Sequence, residues 1–144
     1  MLSGIDKRFK VFVLMAGSLS DEVDMQTPQF QQWRLKNGPE KVDAFLARYS
    51  WLDPGKFVSH AAPAAIFLQY ATQEEMLTQQ VVQSYFNVVS DPKKLKIYNA
   101  PHALNREATR DRIAFLTEQL ALKRIDEAKI GSIPELKQPA LEKK

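Results

Sequence analysis

The chain has 144 residues, a net charge of +3, 44% hydrophobic and 26% charged residues; that length and balance suit one globular domain with a sizeable core. It contains no cysteine, which excludes disulfides, thiolate metal ligands and a cysteine nucleophile. Its 20 Lys/Arg and 17 Asp/Glu divide as six and four in residues 121–144 and as 14 and 13 in residues 1–120. The body is therefore close to neutral, and the basic excess belongs to the tail, so no nucleic-acid partner is expected.

MLSGIDKRFK (1–10) has no apolar core of the kind that directs export, and the apolar run VFVLMA (11–16) is too short to span a bilayer. Neither segment marks export or membrane insertion, and a cytoplasmic location is the default expectation. KVFVLMA (10–16) is the first predicted strand, nearly continuous in apolar character as strands buried on both faces of a parallel sheet are. A long connection, residues 17–63, follows. It carries two short helical patterns, TPQFQQWRLKNG (27–38) and PEKVDAFLARYS (39–50), the second opening on Pro39 at a first helical position. Val42, Phe45, Leu46 and Tyr49 recur at helical spacing there. Both tryptophans lie in this connection. Trp33 and Trp51 are expected to cover apolar surface near the sheet, with the wall of an acyl pocket as the alternative.

AAIFLQYA (64–71) is the second predicted strand. A helix is expected between Glu75 and Val89, where Leu77, Val81, Tyr85 and Val88 recur, and KLKIYNA (94–100) is the third strand. The last helix is the most clearly marked. Asn105 is placed to cap it, Glu107 suits the positive end of its dipole, and Ile113, Leu116 and Leu120 form an apolar stripe. Residues 123–144 hold two prolines and many charges and are expected to be a flexible tail. Alternation of strands and helices predicts an α/β fold of about three parallel strands with right-handed crossovers and flanking helices.

Two turns carry candidate chemistry. Glu74 and His102 each follow a predicted strand by two or three residues. In parallel sheets reactive groups collect at the carboxyl ends of strands, and neighbouring strands lie about 4.8 Å apart. The two loops are therefore expected to meet. A histidine oriented by a carboxylate is the general base of acyl-transfer hydrolysis. The nucleophile elbow G-x-S-x-G that would complete such a site does not occur in the 144 residues. Ser3, Ser18, Ser20 and Ser59 stand in no comparable context. His60, in FVSHAAP, is expected to be structural, and two distant histidines without spaced carboxylates provide no recognisable metal site.

The stretch YNAPHALNREATRDRIAFLTEQL resembles the C-terminal signature of the dienelactone hydrolase and acetyl-xylan-esterase-like branch of the α/β-hydrolases, through His102, Ala103, Leu104, Asn105, Asp111, Arg112, Phe115 and Leu116. AAIFLQYATQEEML resembles the preceding strand and acid turn, RFKVFVLMAG the strand after the nucleophile helix, and LSGID the end of that helix. The resemblance covers residues 1 to about 120, and residues 1–122 are expected to form the C-terminal part of such a domain. The resemblance implies a partial α/β-hydrolase fold, with His102 as general base and Glu74 as its orienting acid. Glu75 is the alternative acid. It further implies a small ester or acyl substrate and no metal or organic cofactor.

Three departures stand out. Glu74 replaces the usual Asp, Pro101 replaces the usual Gly before the histidine, and the half bearing nucleophile and oxyanion hole is missing. The chain alone is therefore expected to be inactive. It is also expected to pair with a complementing N-terminal half, or with itself, through an open sheet edge. A non-catalytic dimerising module is the second reading.

Overall fold

The computed structural model describes residues 2–17, 25, 27–74 and 77–134. Three strands, β1 (Val11–Met15), β2 (Ala65–Ala71) and β3 (Lys93–Tyr98), form one parallel sheet in the order β1-β2-β3. The described helices are α1 (Leu2–Ile5), α2 (Pro28–Asn37), α3 (Pro39–Tyr49), α4 (Pro54–Val58), α5 (Gln79–Val88), α6 (Arg106–Gln119) and α7 (Glu127–Gly131), with a 3-10 turn at Ser50–Leu52. The fold is α/β with three parallel strands, as the alternation of patterns predicts.

Because strand order follows chain order, both crossovers run the same way along the sheet. Right-handedness then places them on one face. There Val58 of α4, Val82 and Tyr85 of α5, and Val89 pack on Ile66, Leu68 and Tyr70, with Phe12, Leu14, Leu95 and Ile97 at the margin. The chain after β3 crosses to the opposite face. Phe115 of α6 packs there on Ala65 and Phe67, flanked by Val11 and Val13, with the Phe67 and Phe115 rings 5.1 Å apart. All of β2 is buried while β1 and β3 are largely half-buried, so only the middle strand needs apolar residues on both sides.

Local signals set the helix ends. Thr27 accepts from the Phe30 N–H at 3.2 Å, and Pro28 and Pro39 occupy first positions of α2 and α3. Thr78 caps α5, accepting from the Val81 N–H at 3.3 Å, so this helix begins after the expected position. Val82 and Tyr85 are its buried residues, Leu77 and Val81 pack half-buried against the same cluster, and of the expected stripe only Val88 is exposed.

In α6 the buried residues are Ala108 and Phe115; Ile113 and Leu116 are half-buried and Leu120 is exposed. Asp111 lies between Ala108 and Phe115 on the same side of the helix, so the packed face carries a carboxylate that periodicity discounts. The charged segment after Leu122 includes the helix α7, with Ile130 buried and Arg110 paired to Glu127. Residues 135–144 lie outside the described residues.

One polar chain crosses the interface between sheet and α6. Gln69, fully buried in β2, donates through Nε2 to the Tyr98 hydroxyl (2.8 Å) and to the Ala108 carbonyl (2.7 Å). Tyr98 donates onward to Asp111 Oδ2 at 2.9 Å. Lys96 closes the chain with bonds to Asp111 (2.6 Å) and Glu107 (2.9 Å). Burial, reinforced by the Asp111 carboxylate, raises the Tyr98 pKa well above the ordinary phenol value. The bonds to Asp111 and Glu107 raise that of Lys96. Burial works to raise the Asp111 pKa, but the bonds from Lys96 and Tyr98 outweigh it and hold this carboxyl below its usual range.

Two predictions follow from this chain of bonds. Tyr98→Phe removes one of the two acceptors of Gln69 Nε2 and deprives Asp111 of a donor, costing about 1–2 kcal/mol of stability in denaturant unfolding. Asp111 titrates lower in the folded state, so its contribution is present above the unfolded value near 3.9 and lost as pH falls through the folded one. The difference in melting temperature between wild type and Asp111→Asn is therefore steady from neutrality to about pH 5 and closes below about pH 4.

Candidate functional site

Beyond the ends of β2 and β3 the two segments stay laced together. The Thr72 N–H donates to the Tyr98 carbonyl at 2.8 Å and the Gln73 N–H to that of Ala100 at 3.2 Å. The Thr72 hydroxyl donates to Asn99 Oδ1 at 3.3 Å. Glu74 is the next residue along. On the other segment the chain turns through Pro101–Leu104, closed by the Leu104 N–H donating to the Pro101 carbonyl at 2.8 Å.

Leu104 adopts a left-handed backbone, φ 63°, which costs a non-glycine residue about 1–2 kcal/mol. Its side chain is buried with Ala71, Tyr98, Ala100 and Ala108, and that packing offsets the strain. Asn105 caps α6 as its position predicts, accepting from the Ala108 N–H at 3.0 Å. The turn bearing His102 is thus held at one end by the sheet and at the other by α6.

The structure brings Glu74 and His102 together. His102 Nδ1 lies 2.8 Å from Glu74 Oε1 and 3.0 Å from Oε2. The Glu74 side chain is 8% exposed and that of His102 58%. An ionised carboxylate only accepts hydrogen bonds, so Nδ1 carries the proton and donates. The remaining ring nitrogen, Nε2, is then the acceptor of the neutral imidazole, and no described side chain hydrogen-bonds to it. The arrangement can orient a base and stabilise the imidazolium formed when that base takes a proton.

No described serine joins the pair. Ser3 is buried in α1, and the Ser59 hydroxyl donates to the Lys56 carbonyl at 2.9 Å. Ser18, Ser20 and the alternative acid Glu75 lie outside the described residues. His60 is exposed, and its backbone carbonyl accepts from Lys7, whose ammonium also reaches the Ala62 carbonyl at 3.0 Å. Trp33 and Trp51 are both largely exposed. Neither lines the cavity of about 270 Å³ bounded by Met25, Asp43, Leu46, Ala47, Ser50, Asp53 and Lys56, and this cavity does not include the Glu74–His102 pair. Near it, Asp53 caps α4, and burial together with the Asp53 charge pushes the Tyr85 phenol up to about 12.

Among the described residues no cluster of three His, Asp or Glu side chains is placed to hold a metal ion, and no helix is long and apolar enough to cross a membrane. Two features escape sequence reading. The left-handed Leu104 has no signal, whereas Gln69 has one, a lone amide inside the apolar run AAIFLQYA.

Compared with family models, curated proteins and solved structures, the chain matches none. A functional reading therefore stands on its own residues and geometry.

The chain has two histidines, which makes the tautomer directly readable by ¹⁵N NMR. Neutral His102 is expected as the Nδ1–H form. Glu74→Gln should shift it toward the Nε2–H form that predominates in free imidazole side chains, and an unchanged spectrum would show that the carboxylate does not orient the ring.

Proposed function

We propose that the chain is the C-terminal portion of a serine α/β-hydrolase acting on an ester or related acyl compound. His102 is the general base and Glu74 the acid that orients it. The nucleophile comes from polypeptide beyond these 144 residues. The carrying observation is the contact between His102 Nδ1 and the sheltered Glu74 carboxylate, 28 residues apart in sequence. Three further facts support it: acid precedes histidine along the chain, the two residues follow adjacent parallel strands, and both lie beyond the carboxyl ends.

In this role His102 Nε2 takes the proton of the attacking hydroxyl while the bond from Nδ1–H to Glu74 strengthens. The imidazolium then returns the proton to the leaving oxygen. Nucleophile and base act as a unit, so without the nucleophile nearly all the acceleration is lost.

The test is p-nitrophenyl acetate hydrolysis by the purified chain mixed with a separately expressed nucleophile-bearing polypeptide encoded upstream. Turnover is expected only in the mixture. It should fall by about 10³-fold or more with His102→Ala and by about 10²–10⁴-fold with Glu74→Gln. Equal turnover in the mixture with wild type and His102→Ala would refute the assignment.

A further inference from the structure

The two edges of the sheet differ in chemistry. β3 carries Lys93, Lys94 and Lys96, whose ammonium groups lie over the rings of Phe86, Phe67 and Tyr98. Lysines on an edge strand oppose pairing with another chain. The other edge, β1, reads VFVLM, with no charge and no proline. The Lys10 carbonyl and the Ala16 N–H both bond to β2, so alternation along the strand turns the N–H and C=O of Val11, Val13 and Met15 outward. These groups have no hydrogen-bond partner among the described residues. Val11 to Leu14 are half-buried, and Met15 and the adjoining Phe9 are 46% and 44% exposed.

This edge is self-complementary. Placed antiparallel about a two-fold axis at Val13, a second β1 sets Val13 opposite Val13 and Val11 opposite Met15 as hydrogen-bonded pairs, with Phe12 opposite Leu14 between them. Every one of these cross-strand pairs is apolar, and exposed Lys10 meets Ala16 rather than another cation.

We propose that the free edge of β1 binds the β1 edge of a second copy of this chain, antiparallel about a two-fold axis at Val13, joining the two sheets into one. The two Glu74–His102 pairs then lie at opposite ends of the joined sheet, so the inference does not rest on the hydrolase reading.

Sedimentation equilibrium of the full 144-residue chain is expected to show a dimer. A spin label on Lys10→Cys, the only cysteine in that variant, should report two labelled α-carbons about 20 Å apart, six residues of rise along the paired strands. Met15→Lys changes an exposed side chain and puts an ammonium opposite Val11 of the other copy. It should weaken dimerisation by about 100-fold while far-UV circular dichroism stays unchanged. A monomer at all concentrations overturns the proposal, as does a dimer with labels far from that separation or a folded Met15→Lys chain that dimerises as well as wild type. Capture of a different polypeptide at β1 by a chain that is monomeric alone also overturns it. If Met15→Lys fails to fold, the Lys10→Cys distance decides.

Discussion

The arrangement of the C-terminal half depends on the hydrogen-bonded chain from Gln69 through Tyr98 to Asp111. Apolar packing of α6 on the sheet, Phe115 on Phe67 and Ala108 among small residues, is strong but weakly directional. A buried amide is different, because it tolerates few positions of its acceptors. Gln69 reaches the Tyr98 hydroxyl and the Ala108 carbonyl at once, which sets where the first turn of α6 lies over β2 and β3. The segment between Tyr98 and Arg106 must then close between fixed ends. Left-handed Leu104 is the local consequence.

That closure is what brings His102 to Glu74. The lacing of Thr72 and Gln73 to the end of β3 carries one loop toward the other, and the pinned turn presents the imidazole. The Glu74 side chain is long enough to bring both carboxylate oxygens near Nδ1. Pro101 contributes its carbonyl to close the turn, and the donor it lacks as a proline is not called on there.

The asymmetry between the edges bears on how the chain exists in solution. Lysines shield one side of the sheet, while the other exposes backbone donors and acceptors flanked by Phe9 and Met15. A sheet of three strands with a single fully buried member has a small core for 144 residues. In the proposed dimer, pairing at β1 would enlarge it.

Much of the architecture was legible in the sequence. Continuous apolar runs marked the strands because β2 is buried on both faces, and Pro39 and Asn105 marked helix starts because orphan backbone groups there favour specific residues. Glu74 and His102 were legible as a pair because parallel strands deliver their loops to one end of the sheet. Tertiary structure alone decided that Val82 rather than Val88 is buried in α5, and that α6 presents Asp111 rather than an unbroken apolar row. It also set the left-handed turn at Leu104. Sequence periodicity records how apolar residues are spaced along one segment, whereas these features depend on a buried amide meeting a phenol and a carbonyl distant in sequence, a match that exists only once the strands and α6 have packed.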